Sequence, residues 1–315
     1  MTITRQTLTA HIAAAIWVLA VVIVPSLALA TCAEEPVAAA PAPPPALVMR
    51  NMVGKVVEGG TYRSVYLYRC LGCAVRNATI TPPPGASINE QAVRVVQSNG
   101  AVIDSLTIIG KPATTGVAIT AAQRDKSGNV IGLPTGEGIY VQGSRGVQLI
   151  GNVVEGFHQG ITFSASPDLA IVGNVVRMVR TSPIAGTARD GLTISGNTLS
   201  DSRAWQWGKT PLGDHGDAIH IWTDAGTVRG LKIVGNSFEQ GSGSPIMGIF
   251  LQAKAGGFAD ATVSRNIVAT CNGQGIVLNA VSGVAADNTL VDVCPVAGSK
   301  AAPRLDIKAG SHDLV

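Results

Sequence analysis

The chain has 315 residues, enough for one large domain or two ordinary ones. Only 4% are aromatic and 14% charged, and the 46% hydrophobic fraction is dominated by Val, Ile, Leu and Ala, which suits short strands and turns and argues against long amphipathic helices laid over a sheet. The formal net charge of +3 argues against nucleic acid as the main partner.

At the amino end stand Arg5, an apolar run from Ile12 to Ala30 broken at Pro25, and the small residues Ala28 and Ala30. They predict a signal peptide over 1–30, cleaved after Ala30. Two other readings stay open: an uncleaved membrane anchor through residues 12–30, which are about long enough to span a bilayer, and lipidation at Cys32. All three place the folded part outside the cytoplasm, secreted or periplasmic, and a cleaved signal leaves no stable membrane insertion. Residues 31–47 are largely Ala and Pro, with little to bury, and predict a disordered spacer. The folded domain is expected over 48–315.

Along that domain a glycine followed by an alternating apolar run recurs, and after it a second run that ends in an Asn turn. Gly138 to Val141 is followed by Val147 to Asn152, and Gly160 to Phe163 by Leu169 to Asn174. The turn repeats at Asn197, Asn236, Asn266 and Asn288. Spacings near 22 match one coil of a β-helix, and the longer ones match a coil plus an excursion. Each coil buries too little alone, so coils must stack into a continuous core. Asn suits both a left-handed turn and side-chain hydrogen bonds along the stack. A β-sandwich would also give many short strands, but not an Asn turn at coil length. Val75 to Ile80 and Val102 to Gly110 extend the stack backwards, and Arg304 to Lys308 reads as a last strand. The expected fold is all-β: a single-stranded right-handed parallel β-helix of roughly nine or ten coils. Its last coil lacks an obvious cap, which leaves an edge for a partner or for homo-oligomerisation.

These Asn-turn repeats, over about residues 75 to 310, resemble the pectate-lyase-like superfamily of right-handed β-helices. That resemblance implies the fold and a choice of chemistries: polysaccharide lyase, glycoside hydrolase, uronate epimerase or phage tailspike. The hydrolases are expected to carry adjacent aspartates and a Gly-His-Gly; here Asp214 and Asp217 are separated and His215 follows Asp. The epimerases are expected to carry an Asp-Pro-His-Asp type motif, which Asp214 to Asp217 matches in content but not in spacing.

Alternation turns Ile139, Val141, Ile161, Phe163, Ile219, Ile221, Ile249, Leu251, Ile276 and Leu278 inward. The outward ladder is then Tyr140 and Gln142, Thr162 and Ser164, His220 and Trp222, Phe250 and Gln252, Val277 and Asn279, Asp306 and Lys308. Aromatic faces mixed with amides suit sugar rings, so Tyr140, Gln142, Trp222, Phe250, Gln252 and Asn279 are candidate substrate-binding residues.

The excursion between Asn197 and His220 adds Trp205 and Trp207 to them and holds Arg203, Lys209, Asp214, His215 and Asp217. On an acidic polysaccharide, His215 or His220 would act as base, with Arg203, Lys209 or a calcium held by Asp214 and Asp217 neutralising the sugar carboxylate. On a neutral one, Asp214 and Asp217 would be the acid and base of hydrolysis. Alternatively the two aspartates cap the turn into the strand, with His215 packed beneath. A non-catalytic reading, in which the same face binds glycan or serves in surface assembly, stands beside the enzymatic ones. His158 reads as a turn residue, and Arg177, Arg180 and Arg189 as one basic cluster. Cys271 and Cys294, one coil apart, are placed for a disulfide. Cys70 and Cys73 form a redox- or metal-like pair, a local disulfide or two thiols.

Overall fold

The computed structural model describes residues 42–82, 90–110, 136–204, 214–294 and 302–314. The expected signal peptide, Cys32 and most of the spacer lie outside them, as do Trp205, Trp207 and Lys209. Three short strands make up each coil, and every strand pairs in parallel with its counterparts one coil away. The result is three parallel sheets around one core, a right-handed parallel β-helix. Among the described residues the face sheet has ten strands, from Ala46–Arg50 to Arg304–Ile307, at the upper end of the expected coil count. The second sheet includes Gln148–Ile150 and Ala170–Val172, and the third includes Val153–Glu155 and Val175–Arg177.

The inward set is buried as alternation requires, Ile139, Val141, Ile161, Ile219, Leu251 and Leu278 all at 0–1% exposure. The glycines that open coils are there for space. A Cβ on Gly138 would meet Val154 Cγ1 at 2.3 Å, and one on Gly160 would meet Val176 Cγ1 at 2.3 Å, so the face strand and the third sheet touch with no room for a side chain.

The Asn turn lies at the corner between the second and third sheets. Asn152, Asn174, Asn197, Asn236, Asn266 and Asn288 form a continuous ladder, each side-chain amide donating to the carbonyl oxygen of the next at 2.8–3.0 Å. The left-handed backbone belongs to the residue before each Asn and not to the Asn itself. Gly151, Gly173, Gly196 and Gly235 have φ of 59–65°, with Arg265 and Asp287 at 55° and 56° in the same place. The division has a physical reason: the left-handed residue makes the bend, which leaves the Asn free to aim its amide down the stack.

The other long connections share one different corner. The connections after Ile80, Ile109, Ser200, Glu239 and Asp292 each join a third-sheet strand to the next face strand. The 39-residue spacing between Asn197 and Asn236 takes in one of them, and the 30-residue spacing to Asn266 another.

Cys271 and Cys294 form a disulfide, while Cys70 and Cys73 are buried thiols that donate to the carbonyls of Met49 and Met52. At the carboxyl end Arg304–Ile307 pairs on one side only, and Leu305 and Ile307 are exposed.

Candidate functional site

Strand Asp217–Thr223 brings the chemistry to the face. His220 stands in register with Phe250 on the following strand, Trp222 with Gln252, and all four project outward, half-buried. The imidazole stacks on Phe250 (centroids 4.9 Å, planes 17° apart) and meets the edge of Trp222 at 5.1 Å. Its Nε2 is 3.3 Å from Gln252 Oε1, and Lys254 Nζ stands 4.8 Å above the Trp222 ring.

Behind the imidazole, His220 Nδ1 lies 3.0 Å from Oδ2 of Asp217. His215 Nδ1 lies 3.6 Å from that same oxygen, so two histidines share one buried carboxylate. Burial alone would raise the Asp217 carboxyl, but the two imidazoles outweigh it and hold it below the usual carboxylate range. His215, largely exposed, is raised by its hydrogen bond to Asp217. The Nδ1 contact is close without hydrogen-bond alignment, and Gln252 presents its oxygen to Nε2; a proton on Nδ1, facing Asp217, would leave the Nε2 lone pair on the face and require the Gln252 amide to turn nitrogen-first.

Asp214 goes elsewhere. Both its oxygens accept from Arg180, Nε at 2.6 Å and Nη2 at 2.7 Å, in a pair whose side chains are only 5% and 9% exposed. The expected calcium site at Asp214 and Asp217 does not fit this arrangement. One carboxylate is neutralised by a buried guanidinium and the other is occupied by two histidines, and a cation there would compete with both. Among the described residues, the group of three metal-capable side chains that converges is Cys271, Asp292 and Cys294, of which the two cysteines are already a disulfide.

Arg203 donates to Ser242 Oγ at 3.0 Å, beside Asp201. The expected basic cluster is dispersed: Arg177 pairs with Glu155 on the third sheet, Arg180 with Asp214, and Arg189 with Asp224 past the other end of the face strands. His158 sits in the turn before its strand, close to Arg180; burial first and the guanidinium second lower it to about 4.

In the rest of the ladder, Tyr140, Gln142 and Asn279 stand on the face as expected, with Tyr140 Oη 3.5 Å from Ser164 Oγ. Thr162 and Val277 point the same way but are covered, at 6% and 2% exposure, and the Thr162 hydroxyl donates to the Ile139 carbonyl at 3.5 Å. Sequence reasoning missed the amino-terminal part of the face. Tyr66 and Tyr68 on Ser64–Tyr68, Arg50 on the strand before and Arg94 on the strand after continue the ladder in register. The alternation of Ser64 to Tyr68 was the available signal; these coils lack the opening glycine and the Asn turn that flagged the others.

A family model described as a right-handed beta helix region matches residues 63–238 and 138–302. None of the curated proteins matches the chain. Among solved structures, the chain is similar to PfbA, a surface adhesin of Streptococcus pneumoniae (10% identity, TM-score 0.41, covering 80% of this chain and 63% of that one). It is also similar to the Dettilon tailspike protein (11%, 0.33, 83% and 61%) and to the GH136 lacto-N-biosidase from Eubacterium ramulus (11%, 0.35, 82% and 48%). The chain thus spans less than two thirds of the length of each of these three. The family match runs over well more than half of the sequence, and the chain belongs to the right-handed β-helix family.

Proposed function

We propose that the protein acts outside the cytoplasm on an acidic polysaccharide laid along the face sheet, as a lyase or an epimerase whose base is His220. The observation that carries this reading is the contact of His220 Nδ1 with the buried Asp217 carboxylate, in a ring whose other nitrogen faces outward between Phe250 and Trp222. A buried carboxylate behind an imidazole fixes its tautomer and stabilises the cation formed when it accepts a proton. In the reaction, Nε2 takes the proton from the carbon beside the sugar carboxylate. In a lyase the electron pair left behind forms a carbon–carbon double bond and expels the glycosidic oxygen, which takes up a proton; in an epimerase a solvent proton is delivered to the opposite face of the carbon. Phe250 and Trp222 offer apolar faces to the ring, and Lys254 a positive charge.

Hydrolysis by Asp214 and Asp217 is the weaker enzymatic reading, because neither carboxylate presents a free edge to a glycosidic bond. A non-catalytic glycan-binding face is the second reading, and the stacking of His220 on Phe250 with Gln252 across its Nε2 favours it, since these contacts fit a static ladder as well.

Mass spectrometry of products from polygalacturonate, alginate and neutral glucans separates the readings. Unsaturated fragments, or deuterium taken up from heavy water without cleavage, support the proposal. Fragments with one added water overturn it in favour of hydrolysis, and binding without any product leaves the non-catalytic face.

A further inference from the structure

Four to six coils from His220, the face carries a second cluster. Arg50, Tyr66, Tyr68 and Arg94 come from three consecutive strands, with Tyr66 in register with Arg94, and Arg50 with Tyr68. The Arg50 guanidinium carbon is 5.0 Å from the Tyr66 centroid and 5.6 Å from that of Tyr68, Arg94 is 5.4 Å from Tyr66, and Arg69 is 4.9 Å from Tyr68. The two rings are 6.0 Å apart and 29° from parallel.

Ion pairing separates this cluster from several arginines elsewhere on the helix. On the other two sheets and their turns, Arg76, Arg145, Arg177 and Arg229 each lie within 4.0 Å of a carboxylate. Among the described residues, Arg50 and Arg94 stand over tyrosine rings with no carboxylate within 4.0 Å, and the charge of Arg94 acts at longer range on the Glu137 carboxyl. Both are exposed. A guanidinium stacked on a ring loses rotamer freedom without spending its N–H groups, and its planar fork matches a carboxylate two bonds at a time.

We infer that Arg50, Tyr66, Tyr68 and Arg94 form a distal subsite that takes a carboxylate-bearing sugar of the same chain whose reacting residue lies at His220. This rests on the proposed function and adds a length requirement to it. At about 4.8 Å per strand, Arg94 lies roughly 19 Å along the sheet from His220. Between them stand Tyr140 and Gln142, half-buried, and then Thr162, Ser164, Ala185 and Thr187, small side chains of which Thr162, Ala185 and Thr187 are only 3–7% exposed, so a polymer spanning the two clusters runs over Tyr140 and Gln142 before it passes these covered positions. The ligand is an extended acidic glycan engaged internally, not a short fragment or a chain end alone.

The test pairs the R50Q/R94Q double variant with D217N. Both arginines are exposed, so the double variant should keep the wild-type melting temperature and circular dichroism. On polygalacturonate or alginate its KM should rise about tenfold or more with kcat unchanged, while KM for trisaccharides, which cannot reach across four coils, should equal that of the wild type. Carboxyl-reduced polymer, which cannot react, should bind equally to wild type and double variant. An unchanged KM on polymer, or an equal rise on trisaccharide, would overturn the subsite. Binding of the two polymers, measured by affinity electrophoresis, reads the subsite independently of turnover. Binding that is kept in D217N and lost in R50Q/R94Q supports it even if no turnover is found, whereas equal binding by wild type and R50Q/R94Q, or none by either, removes it.

Discussion

His220 Nδ1 sits 3.0 Å from Oδ2 of Asp217, a side chain only 1% exposed, while the opposite nitrogen of the same ring stands on the outer face. The two atoms of one imidazole therefore lie in different environments, one electrostatically fixed and one open to a ligand.

Asp217→Asn keeps the shape of that contact and removes its charge. Turnover on the acidic polymer is expected to fall by about 10²- to 10⁴-fold, the usual worth of an acid–base group, with binding retained. Steady-state kinetics together with direct binding measures both, and an equal loss of binding would assign Asp217 to folding alone.

The Arg180–Asp214 pair predicts a stability effect of another kind. Asp214→Ala leaves a guanidinium buried without its partner and should cost about 3–5 kcal/mol in urea unfolding. Replacing both residues, as in R180M/D214L, should recover most of that, because the cost comes from the unpaired charge and not from the missing bond.

Stability should also depend on pH through His158, whose folded value is lowered to about 4. Unfolded, this imidazole titrates near its ordinary value, so between about 6.5 and about 4 the unfolded chain binds a proton that the folded one refuses. Stability at this site is full above that window and declines as pH falls through it, by at most about 3 kcal/mol. His158→Gln should flatten this part of the urea-midpoint profile, and a profile unchanged by the substitution would count against the assignment.

Within the ladder, Asn197→Ala should be far more costly than Asn288→Ala. Asn197 is 1% exposed, and its truncation strands the backbone N–H of Asn174 and the carbonyl of Ile171 as well as breaking both side-chain links. At about 1–3 kcal/mol for each stranded group, the urea midpoint should drop clearly, whereas the partly buried Asn288 sits at the last rung and should lose much less.

Most of the fold was legible because a coil is local. The Gly-Asn turns at coil spacing announced the stack, and alternation sorted Ile219 and Ile221 from His220 and Trp222. What escaped was whatever has no period. Arg180 and Asp214 are 34 residues apart and meet only because an excursion returns to its own coil. Strict alternation puts positions 217 and 220 on opposite faces, so the dyad was visible as composition but not as a contact. The tyrosines and arginines of the first coils obey the alternation well, but they lie where the glycine and asparagine markers are missing.

The two corners described above divide growth from alignment. The asparagine corner holds every coil in step with the last and takes no long insertion from Asn152 to Asn288, while the corner between the third sheet and the face takes insertions of widely different length. Chain added at that margin leaves the count of rungs and the order of the outward side chains untouched. Sequence at that margin can thus change one connection at a time, and a change in what the protein grips need not disturb how it stands.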